Sequence, residues 1–132
     1  MGLLSGSRPR DLGLAGGKLR GGTWKPNWVS SQVGSSDTKH FIDPLRFAGA
    51  PDAAWKALES ALRAMPGATV VTGIPGYLHV EFASPLLGFV DDAEFALDTA
   101  EGVIHVRSGA RLGLDDLGVN RKRVESIRAA LH

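Results

Sequence analysis

There is no cysteine among the 132 residues. Disulfides, thiolate metal sites and a cysteine nucleophile are excluded together, and the redox compartment is left open. Long apolar runs are missing as well, and nothing approaches the ~18 residues of a membrane span. The opening MGLLSGSRPRDLGLAGGKLRGG scatters its apolar residues in ones and twos among glycines and arginines, so the continuous apolar stretch of a secretory signal is absent. The expectation is a soluble, cytoplasmic chain. An excess of one charge is lacking too. Fifteen Lys and Arg face 14 Asp and Glu, for a net charge of +1, which gives no whole-molecule field for nucleic acid or an anionic membrane. No repeat or low-complexity block appears, and the glycines are followed by no Gly-Lys-Ser/Thr, so a phosphate loop is unsupported. His40, His79, His105 and His132 show no metal-ligand spacing. No metal, cofactor or nucleic-acid partner is expected.

What is present suits one small domain. The length fits a single core, and residues 1–36 read as a glycine-rich arm docked on a domain spanning 37–132. Trp24 and Trp28 flank Pro26 and Asn27, and both tryptophans are expected to anchor the arm. Pro-Asn-Trp-Val-Ser-Ser-Gln reads as a tied-down turn.

The domain itself follows period rules. His40 to Phe47 is a short extended run. Pro51 and Asp52 start a helix whose apolar face is Trp55, Leu58, Leu62 and Met65, stopped by Pro66-Gly67. Alternation then predicts strands at Ala68–Ile74, Tyr77–Ser84, Phe89–Asp98 and Val103–Ala110. Leu78, Val80 and Phe82 fall on one face; Tyr77, His79 and Glu81 fall on the other. Asn120 is expected to cap a last helix with Val124, Ile127 and Leu131 inward. The predicted fold is α+β: a four-stranded antiparallel meander with two helices on one face (α-β-β-β-β-α), preceded by the extended arm.

The charged tract from Gly88 to Arg123 holds the chemistry. A hairpin at Asp98 to Gly102 pairs Leu97 with Ile104 and Glu94 with Arg107. Placing Phe82 opposite Ala93 adds Glu81, giving a row Glu81, Glu94, Arg107 across an uncovered face where histidines are solvated. Asp91 falls on the apolar side and needs either a partner in Arg111, Arg121 or Arg123 or a place at the strand's open end. Arg121, Lys122 and Arg123 occupy a first helical turn where acids are preferred, so an anion must compensate. It is either internal (Asp115, Asp116, Asp91 or Asp92) or a bound ligand, and internal pairing is favoured. Ser31 and Ser108 show no Ser–His–Asp context.

Three stretches resemble a known family: Pro-Asn-Trp-Val-Ser-Ser-Gln, Phe-Val-Asp-Asp-Ala-Glu-Phe, and Arg-Ser-Gly-Ala-Arg-Leu-Gly-Leu-Asp-Asp-Leu-Gly-Val-Asn-Arg-Lys-Arg-Val. Over roughly residues 12 to 131 they look like the domain-of-unknown-function family numbered 1499. Its relatives occur in bacteria and plastid-bearing lineages, some with membrane segments or targeting sequences absent here, and many carry a cysteine where this chain has Trp28. The resemblance implies no activity. It marks Asn27, Ser30, Ser31, Asp91, Asp92, Glu94, Arg107, Ser108, Arg111, Asp116, Asn120, Arg121 and Arg123 as candidate site residues.

Three readings follow. The leading one is a small binding or assembly domain with a polar Asp/Arg site for an anionic ligand or a partner's acidic segment. The second is a hydrolase-like enzyme with Asp92 or Glu94 as general base and Arg107 or Arg111 stabilising an oxyanion. The third is a set of structural charge clamps.

Overall fold

The computed structural model describes residues 4–132; the first three residues of the expected arm lie outside that range. In chain order the elements are β1 (Leu14–Ala15), β2 (Lys18–Leu19), β3 (Trp28–Ser30), β4 (Leu45–Arg46), α1 (Pro51–Arg63), β5 (Ala68–Ile74), β6 (Tyr77–Ala83), β7 (Val90–Asp98), β8 (Val103–Ala110) and α2 (Val119–Ala130). The class is α+β as expected, and the meander β5 to β8 is present. The sheet is larger than four strands, however. It has six, in the order β3-β8-β7-β6-β5 with β4 also on β8, and β1 and β2 form a separate hairpin.

The difference lies in the arm. Trp28, Val29 and Ser30 pair antiparallel with Gly109, Ser108 and Arg107, so the expected turn is a strand. Without it, half of β8 would present unpaired amides and carbonyls to the side. Gly109 makes the fit possible: a Cβ there would lie 2.8 Å from the Trp28 Cβ. The Trp28 ring stacks on His40 with centroids 4.0 Å apart. Trp24 does not anchor anything comparable, since 71 % of it is exposed; four residues before the start of β3, it has no sheet face to lie on.

α1 begins at Pro51, whose missing amide costs nothing at this position, with Asp52 in its first turn and Leu58 and Leu62 buried. α2 departs from expectation. Its N-cap is Gly118, not Asn120. The capping oxygens come from Asp116: one accepts from the Gly118 amide at 2.9 Å, the other from the Asn120 amide at 3.0 Å. Asn120 is thereby freed to turn inward, where it is buried.

Both helices pack on one face of the sheet. Leu58, Leu62, Val124 and Ile127 meet Leu78, Val80, Phe82, Ala93, Phe95, Ile104 and Val106 in a single core. Period-two alternation therefore sorts the meander as the sequence suggests. The hairpin register also holds, with Leu97 opposite Ile104 and Glu94 opposite Arg107. The β6–β7 register does not. Phe82 faces Asp91 and Glu81 faces Asp92, a slip of two residues from the expected pairing. The cause is a closed loop of Pro85 to Gly88, locked where the Ser84 amide donates to the Phe89 carbonyl at 2.8 Å and the Phe89 amide to the Ser84 hydroxyl at 2.9 Å. A slip of two keeps every side chain on its face, so partners change but faces do not.

Candidate functional site

The sheet alternation divides the candidate residues into two assemblies. On the side away from the helices lie Asp92, Glu94, Arg107 and Arg111. This side is not open. The arm crosses it, and Tyr77, His79, Asp92 and Glu94 are all buried, Glu94 to 1 % exposure. The expected row Glu81, Glu94, Arg107 is replaced by two linked clusters. In the first, Arg111 donates through Nε to Asp92 at 2.7 Å and through Nη2 to Glu81 at 2.6 Å, and His79 Nε2 donates to Asp92 at 2.7 Å. In the second, Glu94 accepts from Arg107 at 3.2 Å, from the Gly13 amide at 2.6 Å and from the Tyr77 hydroxyl. His79 is accordingly no solvated histidine; its neighbours on the face are buried under the arm, and so is it.

The electrostatics follow from these contacts. Burial alone would raise the carboxyls of Asp92 and Glu81. The hydrogen bonds and charges of Arg111, aided by His79, outweigh it for Asp92, and those of Arg8 and Arg111 outweigh it for Glu81, so both sit below their ordinary values. Tyr77 is pushed well up by burial and by the Glu94 carboxylate it donates to. His79, Glu81 and Asp92 converge in a manner that could hold a metal ion, but the Arg111 guanidinium bonded to both carboxylates already supplies the cation.

On the helix side lie Asp91, Ser108, Asp116, Asn120 and Arg123, joined in one chain. Arg123 donates to Asp91 and to the Asn120 side-chain oxygen, each at 2.8 Å; Ser108 donates to that same oxygen at 2.6 Å; the Asn120 side-chain amide donates to Asp116 at 2.8 Å. Of the three arginines proposed for Asp91, Arg123 is the partner, and its guanidinium also lies 4.7 Å from the Phe82 ring centre. Burial raises the Asp91 carboxyl, outweighing Arg123, with Asp116 and Asp92 adding to the rise.

The remaining candidates are spread out. Asn27 donates to the Gly113 carbonyl at 3.0 Å and so ties β3 to the β8–α2 loop. The Ser30 hydroxyl accepts from the Gln32 amide at 3.1 Å. Arg121 reaches the Lys39 carbonyl at 3.2 Å. Ser31 does have a histidine beside it: its hydroxyl is hydrogen-bonded to His105 Nδ1 at 3.0 Å, and His105 Nε2 lies 3.6 Å from Asp98. The order Ser–His–Asp was hidden because the three residues lie far apart in the chain, Ser31 just after β3, Asp98 at the end of β7 and His105 on β8. It is not a nucleophile constellation. Ser31 is buried, its hydroxyl accepts from the Val106 amide at 2.9 Å, and the His–Asp separation exceeds a hydrogen bond.

The largest opening lies beside the helix-side assembly. A pocket of about 620 Å³ is lined by residues of the β6–β7 loop, the β8–α2 loop and the start of α2, with Phe82, Asp91 and Arg123 in its wall. Around it gather exposed apolar side chains that sequence reasoning missed. Among the described residues eleven large hydrophobics are exposed, and seven stand on these two loops or at the start of α2: Leu86, Leu87, Phe89, Leu112, Leu114, Leu117 and Val119. Five of the seven are leucines within five residues of a glycine, a pattern visible in the sequence as apolar residues where loop residues belong. Leu117 also has φ of 54°, a backbone conformation that costs a leucine roughly 1–2 kcal/mol.

No curated protein and no solved structure matches the chain. A family model described as "Protein of unknown function (DUF1499)" matches residues 18–131. With all three quoted motifs inside that match, spanning strand, hairpin and closing helix, the chain belongs to the DUF1499 family.

Proposed function

We propose that this is a non-enzymatic binding domain whose pocket between the β6–β7 and β8–α2 loops receives an apolar segment of a partner protein flanked by basic residues. The observation that carries the reading is the concentration of seven exposed hydrophobics on the two loops that frame one pocket and at the start of α2. Contiguous apolar surface of this kind marks interaction sites. Its volume lies within the range of roughly 300–1,000 Å³ common for ligand pockets. Leu86, 94 % exposed, and Leu117, 84 % exposed, stand out from the pocket wall, beyond what a small molecule inside it would cover. That extent favours a protein surface.

The charges favour a basic flank. Asp91, Asp115 and Asp116 line the pocket against the single guanidinium of Arg123, and Asp91 is a partly buried carboxylate incompletely offset by its partner. A cation from the occupant relieves it. The same acids disfavour an anionic bilayer surface and an anionic ligand. The general-base reading draws no support from the opposite face, where Asp92 and Glu94 are buried and each accepts three hydrogen bonds from the protein itself.

The test uses two designed amphipathic peptides, one of leucine and lysine and one of leucine and glutamate, with fluorescence anisotropy as readout. The leucine–lysine peptide is expected to bind, the glutamate version at least about tenfold more weakly. Leu87→Ser with Leu117→Ser should weaken binding by a similar factor at unchanged secondary structure. Equal binding of both peptides, or indifference to the leucine substitutions, sinks the reading; preferential binding to lipid vesicles replaces it with a membrane surface.

A further inference from the structure

The opposite face of the sheet carries an unusual load. From Tyr77 to Arg111 it presents a continuous field of ionisable side chains, and burying these requires a partner for each. Among the described residues no buried side-chain polar atom lacks one. Three of the partners come from the arm. Arg8 donates to Glu81 at 2.8 Å; Asp11 accepts from Arg107 through its carboxylate at 2.6 Å and through its carbonyl at 2.9 Å; the Gly13 amide donates to Glu94 at 2.6 Å.

Between Ser5 and Leu19, which are buried, no residue from 6 to 18 is, so the contacts that Arg8, Asp11 and Gly13 make with the face are polar. A cavity of about 260 Å³ lies along it, lined by Asp11, Lys25, Glu94, Arg107 and Arg111 among others. The family match begins at residue 18. Arg8, Asp11 and Gly13 thus precede the matched part of the chain, while the face itself, and Leu19 packed on its Tyr77 and Ala96, lie inside it.

We propose that Arg8 to Gly13 is a tethered occupant of a peptide site on this face, and that an extended partner segment with a basic residue three positions before an acidic one competes for it. The arm displays the chemistry the site accepts: a carboxylate on Arg107, a main-chain N–H on Glu94, and a cation on Glu81. A free small anion meets Glu94 and Glu81 beside the arginines and is repelled, whereas a peptide brings both signs in register. When the arm leaves, the face keeps its own pairs, Arg107 with Glu94, Tyr77 with Glu94, and Arg111 with Asp92 and Glu81, and so stays organised as an acceptor. Tethering holds the arm at a high effective concentration, and any competitor's apparent affinity is reduced by the fraction of time the site is closed.

The probe is a fluorescently labelled synthetic peptide reproducing residues 4–14, titrated into the full chain. Arg8→Gln with Asp11→Asn loosens the arm, and both side chains are about half exposed (53 % and 45 %), so the fold does not depend on them. The loosened chain is expected to bind the peptide at least about tenfold more tightly than the native chain, in proportion to the open fraction gained. A peptide carrying the same two substitutions should lose binding, as should the loosened chain with Arg107→Met. Hydrogen exchange at the Gly13 amide should accelerate in the loosened chain. Equal affinity for native and loosened chains, no binding to either, or indifference to the peptide's charges overturns the proposal. Gly13 protection that survives both substitutions overturns it too, because the arm would then be held by something else.

Discussion

Asp91 and Asp92 are neighbours on one strand and point to opposite faces of the sheet, Asp91 to Arg123 at 2.8 Å and Asp92 to Arg111 at 2.7 Å. Their ionisation is displaced in opposite directions, Asp91 upward because burial outweighs its one arginine, Asp92 downward because two donors outweigh burial. A pair of adjacent carboxylates therefore couples to stability with opposite signs.

Asp92 governs the acid side. A carboxyl lowered by folding contributes stability that is present above its unfolded value of about 4 and is lost as pH falls through the folded value. Glu81 adds to the same window. Urea unfolding followed from neutral to acid pH should show a falling midpoint, and Asp92→Asn should flatten that fall. At neutral pH the substitution should cost about 3 kcal/mol or more, since it leaves the Arg111 side chain, 2 % exposed, facing an amide. A loss under about 1 kcal/mol would be that of a surface pair and would refute the clamp.

Asp91 is expected to behave in reverse, and more strongly once its partner is removed. In Arg123→Met the carboxyl should rise further, and a group raised by folding contributes stability that is present below the unfolded value and lost as pH climbs through the folded one. The variant should therefore lose stability above about pH 4 more steeply than the native protein, whose Asp91 is raised less. Parallel pH profiles for the variant and the native chain would contradict this.

Tyr77 is the single tyrosine of the chain, which makes its proton a clean spectroscopic signal. Burial and the Glu94 carboxylate hold it well above the ordinary value. The ultraviolet tyrosinate band should not appear as pH passes about 10 but only when the protein unfolds. Stability should decline on the alkaline side, because a raised group's contribution is lost as pH rises toward its folded value. Tyr77→Phe should remove that slope and cost about 1–2 kcal/mol at neutrality, as Glu94 keeps Arg107 and Gly13. A tyrosinate band growing at the ordinary pH in folded protein would refute the buried contact.

How much of this was legible in the sequence depends on which forces were local. Alternation placed every residue of β6, β7 and β8 on its correct face, and the short hairpin at Asp98 to Gly102 fixed Glu94 against Arg107. Across the longer Pro85 to Gly88 loop no such constraint exists, and the pairing slipped by two, exchanging Glu94 for Asp92 as the partner of Glu81. The cover over the polar face was hidden for a different reason. Arg8, Asp11 and Gly13 lie more than 70 residues from the groups they bond, and a glycine-rich segment has no periodicity to announce a docking face. Asp116 in place of Asn120 as the helix-capping side chain turns on one left-handed glycine, Gly118, which an uninterrupted reading of the helix start passes over.

Leu117 joins the fold to the proposed pocket. Its φ of 54° is the only positive value among the described non-glycine residues, and its side chain, almost wholly in solvent, gains nothing from burial to offset the strain. Leu117→Gly should raise the stability by about 0.5–1 kcal/mol, the left-handed penalty removed less the extra freedom a glycine has when unfolded. The same substitution should weaken binding of the leucine–lysine peptide, because backbone strain held at an exposed apolar residue is sustained where function uses that residue. The two readouts must move in opposite directions. A stabilised variant that binds the peptide as well as the native chain would leave Leu117 a strained loop residue and nothing more, and would take the β8–α2 loop out of the binding surface.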